Sequence, residues 1–104
     1  MQGINHQWSS QDVLLSYALY RLRISPKERQ LKFNRVLEHT EIQPQSMKLA
    51  FQNFEYLDGI GNYGNCSKAA IRAHQEHQST APHALVELID NESIRDILRG
   101  SLRN

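Results

Sequence analysis

Hydrophobic positions along this chain recur every three to four residues and almost nowhere alternate. From Val13 to Leu22 they crowd together: Val13, Leu14, Leu15, Tyr17, Ala18, Leu19, Tyr20 and Leu22. A helix that is apolar around most of its circumference is a buried one, so this segment is expected at the centre of the fold. Its start is well marked. Ser9 is placed to cap the first turn, Asp12 to close a capping box, and Trp8 and Val13 to form a hydrophobic staple. A second start follows at Ser25-Pro26-Lys27-Glu28, a cap, an N1 proline and an acid three residues on. This helix is expected to reach His39, with Phe33, Val36 and Leu37 inward and Lys27, Lys32 and Arg35 outward.

The third helix lies in `IQPQSMKLAFQNFEYLDG`, Ile42 to Gly59, with Gln43 at the cap position and Pro44 at N1. Met47, Ala50, Phe51 and Phe54 obey the i, i+3, i+4, i+7 rule and should face the core. Gln45, Ser46, Lys48, Gln52, Asn53 and Glu55 are left outside. Only `EHTEIQP` separates helices two and three, which is the helix-turn-helix plan.

Next comes `LDGIGNYGNCS`, with three glycines and two asparagines in eleven residues. It reads as a loop or small wing with positive φ at glycine. A fourth helix should start near Ser67 and run through `KAAIRAHQEH`, where `STAPH` breaks it. Leu85, Leu88 and Ile89 mark one short helix, and Ile94, Ile97 and Leu98 another. No stretch alternates long enough for a strand. The expected fold is mainly α, a compact bundle of four to six helices with a helix-turn-helix and a short glycine-rich loop or small wing. Residues 1–80 read as the helix-turn-helix-like domain. Residues 81–104 read as a C-terminal helical extension for oligomerisation or a partner.

Composition narrows the function. At 104 residues, 39% hydrophobic and 22% charged, the chain suits one folded domain. One cysteine, Cys66, excludes an internal disulfide and fits a reducing compartment. No apolar run approaches the ~18 residues of a membrane span, and the N-terminus lacks a signal-peptide core. A cytoplasmic protein without membrane contact is expected. Net charge is only +1, but its distribution is uneven. Arg21, Arg23, Lys27, Arg29, Lys32 and Arg35 crowd residues 21–35, whereas residues 76–96 carry five acids against Arg95 alone. This asymmetry suggests one positive and one negative side. The plain alternative is a solvated helix face.

Catalysis finds little support. `GIGNYG` lacks the Lys-Ser/Thr of a phosphate loop, and no G-x-S-x-G is present. Cys66 beside a helix start reads as structural. His74, His77 and His83 lack the further ligand of a familiar zinc spacing and read as surface residues. No enzyme activity and no cofactor are expected.

Nucleic-acid binding fits better. Amide side chains pair with adenine edges, and lysine reaches guanine or phosphate. Gln45, Ser46, Lys48, Gln52 and Asn53 would face the major groove of double-stranded DNA. Lys32, Arg35, Asn65, Ser67 and Lys68 would hold the backbone, aided by the amides opening helix four, and Tyr63 would pack on a sugar. The alternative is a protein-interaction module, a homodimer or a partner complex, built on Ile94, Ile97, Leu98 and Leu102.

Trp8, Leu14, Leu15, Tyr20, Pro44, Asn53, Phe54, Leu57, Asp58, Asn65, Ser67 and Lys68 form a pattern over about the first 75 residues. It resembles the N-terminal domain of many bacterial HNH restriction-type endonucleases. The resemblance rests on Asn-Phe-x-x-Leu-Asp followed by Asn-x-Ser-Lys. It implies a DNA-associated recognition module or small regulator in a phage, mobile-element or defence setting. It does not imply cleavage, because the nuclease of that family is a separate domain. The chain departs from the pattern at `RLRISPKERQ`, where the family has Pro-Phe-Gly, and at Gly59, where it has proline.

Overall fold

A computed structural model describes residues 8–61 and 66–100. The elements are α1 (Ser10–Arg21), α2 (Pro26–Leu37), α3 (Pro44–Leu57), α4 (Lys68–His77), α5 (Pro82–Glu87) and α6 (Glu92–Arg99). No strand occurs among the described residues, and no helix there is long and apolar enough to cross a membrane. The fold is a mainly α bundle, as the periodicity predicts.

Helix α1 is the axis and packs against each of the other five helices. Its Leu15, Ser16, Tyr17, Ala18 and Leu19 are buried. Buried Ser16 donates its hydroxyl to Asp12 O, one turn back, at 2.9 Å, and so satisfies a polar group that has no water. The expected capping box is present: Asp12 N donates to Ser9 Oγ and Ser9 N to Asp12 Oδ2, both at 3.0 Å. An aromatic chain joins α1 to α3 and α2. Tyr17 meets Phe54 edge-on at 4.9 Å, Tyr20 lies 5.9 Å from Phe51, and Phe51 meets Phe33 at 5.8 Å.

Helix α3 packs mainly on α1 and α4, and α2 mainly on α6 and α1. Phe33 and Phe51 are the ring contact between α2 and α3. Helix α3 ends where glycine allows it. Gly59 takes φ 84°, Ile60 N donates to Glu55 O at 2.7 Å, and Gly59 N donates to Tyr56 O at 3.0 Å. That pair of bonds around a left-handed residue is the Schellman closure. Gly61 also has positive φ, at 76°. The expected wing falls largely on residues 62–65, outside the described residues.

A division at residue 80 has no counterpart in the packing. Leu85, Val86, Ile89, Ile94, Ile97 and Leu98 belong to the same core as Tyr17 and Phe54. The radius of gyration, 13.2 Å, is that of one packed body of this length (~13 Å for 100 residues). Ile94, Ile97 and Leu98, expected to form a partner helix, are buried inside the chain, where α6 packs on α2 and α5; Leu102 lies outside the described residues.

The basic run also folds inward in part. Helix ends leave unsatisfied carbonyls, and three cations of residues 21–35 serve them. Arg21 donates to His77 O and Thr80 O, both at 2.9 Å, closing α4. Arg29 donates to Leu19 O, to Tyr20 O at 3.0 Å and to Leu22 O at 2.6 Å, closing α1. Lys32 donates to Ile97 O at 2.6 Å and Gly100 O at 2.7 Å, closing α6. Burial holds the Arg29 and Lys32 side chains below their usual pKa values.

Candidate nucleic-acid interface

Lys32 requires a correction. The sequence places it on the outer side as a phosphate contact, yet it is 1% exposed. Its ammonium is occupied by α6 carbonyls and cannot reach a ligand. Spacing explains this: Lys32 stands three residues after Arg29 and four before Val36, on the inner stripe of α2. Arg35 is exposed on the same helix, as expected.

The face of α3 divides in two. Gln45, Lys48, Gln52 and Glu55 are exposed, and so are Leu49 and Tyr56. At 100° per residue these six share one continuous arc opposite Met47, Ala50 and Phe54, which are buried. Ser46 and Asn53, expected on the same surface, are half-buried and turn toward the start of α4. The Asn53 carbonyl accepts the Cys66 thiol at 3.7 Å, while its buried side-chain Oδ1 has no partner. Such an acceptor costs roughly 1–3 kcal/mol.

Two helix starts flank the arc. Pro26, Arg29 and Gln30, from the first turns of α2, line a groove with Lys48 and Phe51. On the opposite flank, Ser67, Ala69 and Ala70, from the start of α4, line a cleft with Ser46, Leu49 and Asn53. Ser25 Oγ accepts from Glu28 N, and Ser67 Oγ accepts from Ala70 N, both at 3.1 Å. Ser67 is therefore a helix cap first. Lys68 is exposed at the N1 position of α4. Tyr63 and Asn65 lie outside the described residues.

Three exposed groups escape the sequence reading. Leu49 is 47% and Tyr56 42% exposed within the arc; the sequence reading assigned neither. Arg72 is exposed on α4 one turn after Lys68, and the i, i+4 spacing of the two was a signal available in the sequence.

Behind the arc, Asp58 ties three helices together. Tyr20 donates its hydroxyl to Asp58 Oδ2 at 2.6 Å, and His74 Nε2 lies 2.9 Å from Oδ1. Burial first, and then the Asp58 bond, pushes the Tyr20 phenol well above its ordinary pKa. Burial also raises Tyr17, partly offset by Arg21. This junction fixes the C-terminal end of α3 against α1 and α4. No group of histidine, cysteine and acidic side chains suited to a metal ion occurs among the described residues.

Compared with protein-family models, curated proteins and solved structures, the chain matches none. Among the described residues the fold is a bundle of six α-helices, with an exposed and largely polar face on α3.

Proposed function

We propose that this protein binds double-stranded DNA, without catalysing a reaction on it, by laying the exposed arc of α3 in the major groove. The observation that carries the reading is the arc itself. Gln45, Lys48 and Gln52 stand exposed along one line of a helix whose opposite face is locked into the core. Glutamine offers the donor–acceptor pair that matches adenine N7 and N6. Lysine matches guanine, and Leu49 offers an apolar surface to a thymine methyl.

The flanks supply phosphate contacts. Helix N-termini carry partial positive charge and free amides, and α2 and α4 both begin beside α3. Lys27 and Lys68 add full charges at those starts. In this reading Lys27 takes the place of Lys32, beside Lys48 and Lys68, as a cation facing DNA. Net charge is only +1, so in this reading the phosphate attraction comes from the lysines gathered at this face and not from the molecule as a whole. That fits a recognition module or small regulator of the kind the sequence resemblance implies.

A second reading rests on Leu49 and Tyr56, which make the same arc partly apolar and suited to a protein partner. Salt separates the two. Fluorescence anisotropy with a mixed-sequence duplex at 50 and 200 mM salt should show affinity falling steeply, with a log–log slope of about −0.9 per phosphate contact. Lys68→Ala should flatten that slope by about one contact. An affinity indifferent to salt, or absent at 50 mM, refutes the DNA reading.

A further inference from the structure

We propose that the cleft between α1, α3 and α4 binds a small neutral molecule, flat and mostly apolar, that donates one N–H or O–H hydrogen bond to Asn53 Oδ1. This goes beyond the DNA reading and does not depend on it.

Three observations carry it. The cleft has a volume of about 340 Å³, within the range of small-molecule sites (~300–1,000 Å³). Its described walls are apolar apart from Ser46, Asn53 and Ser67, with no charged side chain among them. An ion would lose its hydration there without compensation, so the ligand is neutral. The third observation is the acceptor. Asn53 lines the cleft, and its Oδ1 is buried with no hydrogen-bond partner. Buried polar atoms are almost always satisfied, which makes this atom a vacant anchor point. The Ser67 hydroxyl accepts the Ala70 amide and makes no hydrogen bond to Asn53 Oδ1. The main-chain carbonyl of Asn53 is engaged by Cys66, so the residue is held in place while its buried side-chain oxygen lacks a donor.

The chemistry predicts discrimination between two molecules of one shape. Indole carries a ring N–H, and indene lacks it. In amide NMR titrations without DNA, indole should shift the resonances of Leu49, Asn53, Ala69 and Ala70, and indene should bind at least tenfold more weakly. Asn53→Leu should abolish that preference. Ala69→Trp, a change at an exposed wall position, should block both ligands and leave the far-ultraviolet circular dichroism unchanged. It keeps the test open should Asn53→Leu fail to fold. Equal binding of indole and indene by the native protein overturns the assignment of Asn53. No shifts at millimolar indole, or undiminished binding by Ala69→Trp, overturns the site. Because DNA is absent, failure here leaves the proposed function untouched.

Discussion

Replacing Lys32 should damage the fold and leave any ligand surface untouched. The side chain is 1% exposed, and its ammonium holds two carbonyls at the end of α6, at 2.6 and 2.7 Å. Lys32→Ala removes Cγ, Cδ and Cε from the interior, at ~0.8 kcal/mol each. It also strips Ile97 O and Gly100 O of their donor, worth ~1–3 kcal/mol together. Relief of the buried ammonium offsets part of this loss, and the lowered Lys32 pKa reports that desolvation. The net loss should be about 2–4 kcal/mol, a large share of the ~5–15 kcal/mol of a typical domain. Lys32→Met keeps the apolar stem and loses only the caps, so it should cost about 1 kcal/mol. Urea unfolding followed by circular dichroism measures both. A Lys32→Ala protein within 0.5 kcal/mol of the parent would refute the capping role. So would a stable Lys32→Met protein that had lost DNA affinity, because that result would return Lys32 to the surface.

Other consequences follow from the same geometry. Gly59→Ala should destabilise by about 1 kcal/mol, measurable by thermal unfolding, because φ of 84° strains any side chain although a Cβ would meet nothing within 4 Å. Tyr17 and Tyr20 should ionise later than an exposed tyrosine in an ultraviolet pH titration. Their folded pKa values exceed the unfolded 10.0, so their stabilisation is complete below pH 10 and is lost as pH rises above it; Tyr20→Phe should reduce that alkaline loss. Gln52→Ala should narrow the affinity gap between a selected and a mixed duplex, and an equal loss on both would remove Gln52 from base reading.

Most of the helical framework was legible in sequence because its signals are local. Ser9, Ser25, Pro44 and Ser67 mark starts within one turn of themselves, and Met47, Ala50 and Phe54 declare the inner face of α3 by spacing alone. Lys32 was not legible. Its helical position is inward, but its charge argues outward, and the carbonyls that reconcile the two come from α6, some 65 residues later. The same reason hides Arg21 and Arg29, whose acceptors exist only after α4 and α1 are assembled. A run of cations thus overstated the positive surface. Asn53 misled in the opposite way. A polar residue on the expected outer face turned toward α4, because that helix starts beside it and encloses it. The apolar residues of α6 read as a spare interface because the groove they fill, between α2 and α5, exists only in the folded chain.

The most direct measurement of the central claim is an amide NMR titration of the protein with a mixed-sequence DNA duplex at low salt. The account predicts shifts concentrated on the arc of α3, including the side-chain amides of Gln45 and Gln52, and on the first turns of α2 and α4. Helices α5 and α6 should stay still. A spectrum unmoved by DNA, or shifts confined to α5 and α6, would contradict it.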